Sequence, residues 1–483
     1  MKELNKQTVE KPALPVRILQ FGEGNFLRAF VDWQIHKAND AGVMNHGIAV
    51  VQPIEKGMAG ALKAQDCMYH VVLEGFNARE ITLVKSIVDA INPYEDYTAY
   101  ENIFLSNDLE MIISNTTEAG IRYEEGDDIT ALPPESYPAK ITALLYKRWK
   151  KFGSSGKGLL IICCELIEDN GSTLRRYVLK HAERNNLEAG FIDWVKDACH
   201  FCDSLVDRIV TGFPHDEIDA IKAETGFNDN LVVKGEYFHV WAIGGGANTG
   251  DKLPLDKAGL NVLFMEDIRP FRAKKVKILN GSHTAMAAIA LQMGCVTVRE
   301  AFGVPDVERF IRTMVNTEIL PSIDEDAEEL RQFAGKILER FYNPSLKHYL
   351  KDISLNSLSK WEARCYPTLF DNYLKGRKSP HITFSFAALL LLYSGRSASK
   401  EFFPGDTPES VEFIRAGFDI LNIGGWVKAV CDNRRIWQEE FSMLPFFAEE
   451  VTRYVEMILD RGMKESLYIL SNTLSISPSN DPL

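Results

Sequence analysis

The sequence predicts an α/β domain built on a parallel sheet, followed by a mostly α-helical domain. Three observations carry this prediction. Short apolar runs separated by helical patterns fill residues 16–164, the alternation expected of a parallel sheet covered on both faces. After Pro270 the periodic segments have helical spacing, and no strand series follows. The length of 483 residues suits two or three domains. The change of pattern falls at Phe264–Pro270, which gives domains at residues 1–269 and 270–483.

The elements follow in order. Val16–Phe21 (V-R-I-L-Q-F) reads as the first buried strand, followed by Gly22-Glu23-Gly24 and one helix from Asn25 to about Ala38. Gly47–Gln52 is a second strand, and Ile81–Ile87 reads as an added one. Tyr94–Leu105 is helical, Met111–Ser114 is a strand, Tyr137–Lys151 is helical and Gly158–Cys164 is a strand. Leu231–Ile243 returns to β character and is read as extending the same sheet. The second domain shows helical spacing at 307–317, 326–342, 346–350, 367–374, 382–393, 411–422 and 447–461. Its longest apolar stretch, Phe384–Tyr393, is too short for a bilayer and reads as a buried helix. The closing stretch, Ser475–Leu483, reads as a frayed end.

Composition narrows the function. A net charge of −13 argues against nucleic acid or an anionic membrane as partner. An anionic small molecule needs only a local basic pocket. The first residues are polar and lack the apolar run of a secretory signal. The eight cysteines are scattered, which suits a reducing cytoplasm. Cys199 and Cys202 form a C-x-x-C with no second ligand pair at zinc spacing, so no metal is expected. Cys163 and Cys164 read as small core residues.

Two stretches carry chemistry. Strand, G-E-G, helix is a phosphate-cradling order: Gly22 permits a tight turn, Gly24 lets backbone approach a pyrophosphate, and the helix start supplies donors. Leu27 stands where a third glycine would complete the fingerprint, and an ordinary tight turn remains open as a reading. The second strand ends in Gln52 rather than the acidic residue that would hold a ribose. Asn115, Thr116 and Thr117 close a later strand at the edge where a ligand is expected.

The other stretch is Arg269–Gly294, read as one long helix with Pro270 in its first turn and Gly294 at its stop. Asn280 and His283 share a face, and Lys275 lies a turn and a half earlier. A desolvated lysine can exchange a proton, an amide can bind an oxyanion, and an imidazole can hold a hydroxyl. Lys274 and Lys277 are expected to help lower the pKa of Lys275. Spacing alone leaves open a cationic helix surface with one satisfied histidine.

Taken together, I-L-Q-F-G-E-G-N-F-L-R-A at Ile18–Ala29 and K-x-x-x-x-N-x-x-H at Lys275, Asn280 and His283 resemble the mannitol dehydrogenase family of polyol and uronate oxidoreductases. N-T-T-E-A-G at Asn115–Gly120, C-E-L-I-E-D-N-G at Cys164–Gly171 and K-I-L-N-G-S-H-T at Lys277–Thr284 are similar to its uronate-reducing members. The resemblance implies a Rossmann-like first domain, a helical second domain and metal-independent hydride transfer with NAD(H). It places the cofactor on Ile18, Leu19, Gln20, Phe21, Gly22, Glu23, Gly24, Asn25, Phe26, Leu27, Arg28 and Ala29, with Gln52, Asn115, Thr116 and Thr117. It makes Lys275 the acid/base, with Asn280 and His283 positioning the carbonyl. Asp207 and Lys360 match family residues at the substrate.

Two departures stand out. The polyol members carry Asp-Asn where this chain has Glu165 and Leu166, and Asn170 is the candidate to replace that amide at the substrate. They also carry an arginine eight residues before the substrate lysine, where this chain has Asp352. Arg364, one turn after Lys360, is the candidate cation for a substrate carboxylate, with a plain surface residue as the other reading. The expected reaction is reduction of a keto-uronate to an aldonate in hexuronate catabolism. A polyol or fructuronate-type dehydrogenase is the alternative within the same chemistry, and a non-redox nucleotide-binding protein is the alternative outside it. The partner implied is a small sugar acid; the oligomeric state is not set.

Overall fold

The computed structural model describes residues 1–474 except 77, 117–119, 344–346, 397–401 and 403, with only the backbone of 472–474. The closing stretch read as frayed lies outside the described residues. The chain divides into two compact units, Met1–Pro270 and Phe271–Leu483.

The first unit is organised on a six-stranded parallel sheet. Its strands are β1 (Val16–Phe21), β2 (Gly47–Val51), β3 (Ile87–Ile91), β4 (Met111–Ser114), β5 (Leu160–Cys163) and β6 (His200–Cys202). They lie in the order β3-β2-β1-β4-β5-β6, the doubly wound order whose ligand crevice opens at the strands' carboxyl ends. Successive side chains of a strand point to opposite faces, and here both faces are apolar. Ile18, Val50, Met111, Ile113 and Ile162 enter one core, while Leu19, Phe21, Val51, Ile112 and Ile161 enter the other. That two-sided burial is why these strands read as unbroken apolar runs rather than alternating ones.

Two β assignments differ from expectation. Residues 81–87 straddle two strands in two sheets. Arg79–Val84 pairs antiparallel with Tyr69–Glu74, and after Ser86 the chain enters β3. Leu231–Ile243 does not extend the main sheet. Val233–Glu236 joins Tyr69–Glu74, and Val240–Gly244 lies between Ser204–Asp207 and Val262–Met265. The break falls at residues 237–239, where the chain leaves one ladder for another.

Among the described residues the second unit is helical, with one isolated bridge between Thr297 and Tyr349. Its central helix, Pro380–Tyr393, is apolar almost all round and buried from His381 onward. Helix Ser282–Ala290 and the closing helical segment Phe447–Leu474, kinked at Gly462, pack on it. Helices Ser357–Arg364 and Ile423–Cys431 were not read in the sequence. No helix among the described residues is long and apolar enough to cross a membrane.

Candidate active site

The glycine loop leaves β1 through Gly22 at φ 112°, where an added Cβ would stand 2.8 Å from the Asn115 carbonyl oxygen. Only glycine fits that turn. Gly24 caps helix Asn25–Ala29, and an added Cβ there meets nothing within 4 Å. The loop therefore presents open space above Gly24, the shape a pyrophosphate cradle needs. The single helix expected over 25–38 is two, Asn25–Ala29 and Val31–Asp40, broken at Phe30 (φ −120°, ψ −74°).

Within the stretch assigned to the cofactor, side chains divide by burial. Ile18, Leu19, Phe21, Leu27 and Ala29 are core residues that hold the loop and do not face a ligand. The Gln20 amide donates to the Gly22 carbonyl, and Glu23 turns back to accept from the Met58 amide, with burial raising its pKa. Arg28 is directed inward: it donates to the Leu231 carbonyl at 2.7 Å and to Asn25 Oδ1 at 2.6 Å, and it lies over the Tyr69 ring. Gly24, Asn25 and Phe26 form the accessible part.

Gln52 also differs from expectation. Its amide donates to the Ile54 and Glu55 carbonyls and its oxygen accepts from Ala59, so it braces its own loop. At the end of β4, Asn115 donates to the Cys164 carbonyl, and Thr116 donates to Glu165 Oε1 from both its amide and its hydroxyl. Glu165, which the sequence reading passed over, also accepts from Ser114. Its burial raises its pKa, and these donors oppose the shift. Thr117 lies outside the described residues.

Asn170 is not available as the substituted amide. Its nitrogen donates to the Cys163, Glu165 and Ser204 carbonyls, and its oxygen accepts from Gly171 and Ser204. An amide has two hydrogens to give, so this side chain is a fully spent clamp between β5 and the strand Ser204–Asp207. Asp207 closes that strand opposite Val240 and is half-buried. Its neighbour Arg208 is buried: it donates to the Ala29, Tyr237 and Phe238 carbonyls and stacks on Trp33.

In the second unit the expected long helix is continuous but changes pitch. It runs α-helical over Arg269–Lys275, π-helical over Val276–Gly281, α-helical over Ser282–Ala290, and ends in a 3₁₀ turn before Gly294. In an α-helix, residues five apart point about 140° away from each other. The i→i+5 repeat of a π segment sets them nearly one above the other. The π segment thus brings Lys275 and Asn280 to one side, with His283 three residues beyond.

Asn280, His283, Lys360 and Arg364 line one cavity of about 240 Å³, together with His348, Asp352 and Ile353. Helix Ser357–Arg364 approaches the π segment at Gly281, where an added Cβ would lie 3.2 Å from the Arg364 carbonyl. Arg364 donates to the Thr284 hydroxyl at 3.3 Å, and the Lys360 ammonium donates to the Ile353 carbonyl at 3.1 Å. Lys275 is 8% exposed and is one of the charges acting on His283.

His283 is equally buried, at 8% exposure. Its ring stacks on Phe341 at 4.4 Å and meets His348 edge-on at 5.0 Å. Burial holds its pKa well below the ordinary value, and His348, Arg340, Arg364 and Lys275 push it the same way. The imidazole is therefore neutral at neutral pH. Its Nε2 is buried and has no hydrogen-bond partner among the described residues, so a ligand oxygen there would satisfy a group that is costly to leave alone. Lys274 and Lys277 do not act on Lys275 as bare cations. Lys274 pairs with Glu325, and Lys277 pairs with Asp371 at 2.6 Å. Among the described residues no group of three or more His, Cys, Asp or Glu side chains is arranged to hold a metal ion.

A doubly wound sheet with a glycine loop, and a cavity lined by an amide and a neutral imidazole with buried Lys275 acting on that imidazole, define a nucleotide-dependent oxidoreductase. Residues 16–257 match the mannitol dehydrogenase Rossmann domain, and residues 267–459 match the mannitol dehydrogenase C-terminal domain. The chain belongs to the mannitol dehydrogenase family. It is 41% identical over 479 residues to the altronate oxidoreductase of Bacillus subtilis (strain 168), covering 97% of this chain and 98% of that one. It is 38% identical over 479 residues to the altronate oxidoreductase of Klebsiella pneumoniae (strain 342), covering 97% and 99%. Its fold is similar to that of Pseudomonas fluorescens mannitol 2-dehydrogenase, solved with NAD and D-mannitol, with a TM-score of 0.77 at 20% identity over 99% of this chain and all of that one. A substrate-free D-sorbitol dehydrogenase gives a TM-score of 0.80 at 19% identity over 97% of this chain and all of that one.

Proposed function

We propose that the protein reduces a keto-uronate to an aldonate with NADH, tagaturonate to altronate, as a step of hexuronate catabolism. The observation that carries this reading is the charge of the pocket. Lys360 and Arg364 line it, and Arg340 and Lys275 bear on its histidine, while Asp352 is the one acidic residue in its lining among the described residues. In a chain of net charge −13, such a concentration of cations suits a substrate carboxylate. The altronate oxidoreductases related over almost the whole chain support the same substrate class.

The dinucleotide fits the glycine loop, since Gly22 admits the tight turn and the space above Gly24 is clear for close backbone approach. When bound, it supplies the hydride. The remaining steps belong to the chain. Asn280 and the Nε2 hydrogen of neutral His283 hold the carbonyl oxygen as charge develops on it. Lys275 gives that oxygen a proton, and in the reverse direction takes it back. Lys360 and Arg364 hold the carboxylate.

Loss of NADH absorbance against tagaturonate, fructuronate, fructose and fructose 6-phosphate tests the reading, with NADPH run beside NADH. Tagaturonate with NADH should have the highest kcat/KM; faster turnover of an uncharged ketose, or a strong preference for NADPH, would overturn it. Gln52 carries no charge to repel a 2′-phosphate, so discrimination against NADPH should be weaker than an acidic residue would impose. Arg364→Ala should raise KM for the keto-uronate by an amount equivalent to about 1.5–3 kcal/mol, the loss of a charged hydrogen bond. Its effect on an uncharged ketose should be small, and equal effects on both would make Arg364 a structural residue.

A further inference from the structure

We propose that His348, with Asp352 four residues on, is a substrate-contacting specificity residue that reads the configuration of a hydroxyl group. Neither residue drew a role from the sequence. This inference rests on the keto-uronate reading and adds to it what tells one such substrate from its epimer.

Three pieces of chain wall the cavity. The π segment and the turn after it bring Asn280 and His283, the groups for the reacting carbonyl. Helix Ser357–Arg364 brings Lys360 and Arg364, the groups for the carboxylate. The third wall is residues 348–353, with His348, Asp352 and Ile353. A keto-uronate whose carbonyl and carboxylate are held by the first two walls still carries hydroxylated carbons. The third wall is the polar surface left to meet them.

That wall is fixed in place. The His348 carbonyl accepts from the Val298 amide at 2.9 Å, and the Leu350 amide donates to the Val296 carbonyl at 2.9 Å. Lys360 fastens its far end through the Ile353 carbonyl. The His348 ring stands at 89° to that of His283 with centroids 5.0 Å apart, so its position is set relative to the carbonyl-holding group. Among the described residues no hydrogen bond reaches the His348 ring. Burial holds its pKa down to about 4 against the pull of Asp352, which leaves a neutral imidazole with one donor and one acceptor. Asp352 adds acceptors alone. A hydroxyl group both gives and takes a hydrogen bond, so this pair distinguishes an oxygen pointing toward the wall from one pointing away. Sites built to bond a hydroxyl reject a ligand that fails to present it, and that penalty falls on the half-buried His348 ring, since Asp352 is exposed and stays hydrated.

The test compares kcat/KM for tagaturonate and fructuronate, which differ in configuration at one carbon. His348→Phe keeps the ring against His283 and removes the hydrogen bonds. It should lower kcat/KM for the preferred epimer about 10- to 100-fold and shrink the ratio between epimers by a similar factor, with KM for NADH unchanged. His348→Asn should recover part of the ratio. Equal losses for both epimers would mean that His348 only orients His283, and no loss would mean that it touches no substrate; either overturns the proposal. Asp352→Asn gives an independent reading if the phenylalanine variant does not fold: an unchanged ratio there also overturns it. If the wild type reduces uncharged ketoses and no keto-uronate, the functional reading fails by itself. The fructose–tagatose pair then tests His348 in the same way.

Discussion

Lys275→Ala is expected to lower kcat by about 10²–10⁴-fold, the range for removing a positioned general acid, while leaving NADH affinity nearly unchanged. The side chain sits beside neutral His283 on a helix whose π segment turns it toward Asn280. In that role the side chain gives a proton to the developing alkoxide and takes it back in the reverse direction. A small primary amine added to the variant should restore part of the rate by entering the space left behind. Single-turnover kinetics separates this step from binding. An alanine variant with almost full kcat, or one whose defect lies in NADH affinity, would remove Lys275 from the role of proton donor.

The second large effect belongs to the glycine loop. Gly24→Val should abolish NADH binding while the protein remains folded. The residue has φ −68°, which valine adopts, and its Cβ would enter space that holds no protein atom. The side chain therefore competes with the ligand alone. Gly22 behaves differently. A side chain there meets the Asn115 carbonyl at a positive φ, so its replacement should lower stability as well as binding. Calorimetric titration with NADH and thermal melting, run on both variants, distinguish the two. Unchanged NADH affinity in the folded Gly24→Val protein would mean that the dinucleotide binds elsewhere.

The parts legible in the sequence were those with strong local signals. The strands of the parallel sheet announce themselves because both faces are buried, so the run at Ile161–Cys163 is apolar without alternation. Residues 81–87 misled because the chain passes from one sheet to another at Ser86 with apolar residues on either side. Helix Ser357–Arg364 was hidden by its polar opening after Asn356, which holds a left-handed conformation. Gln52 and Asn170 show a different limit. The sequence reveals an amide at or beyond a strand's carboxyl end, where ligands are met, but not whether nearby carbonyls already consume it. The Lys275–Asn280 spacing is out of phase for an α-helix, and only the change of pitch aligns it. His348 reaches His283 through tertiary packing, with its backbone tied to the 296–298 stretch, and no periodicity in so short a segment signals that.

The division of the cavity among separate stretches of chain has a consequence for how such proteins diversify. Lys275, Asn280 and His283 occupy a single helix, whereas His348, Asp352, Lys360 and Arg364 all fall within one short contiguous segment. If the proposed roles hold, recombination or drift confined to residues 348–364 would exchange the recognition surface as a cassette and leave the helix of Lys275, Asn280 and His283 as inherited. A lineage would then move from one substrate to another without passing through an ancestor that has lost its chemistry. A laboratory library has the same shortcut: randomising that segment alone samples new substrates on an intact engine.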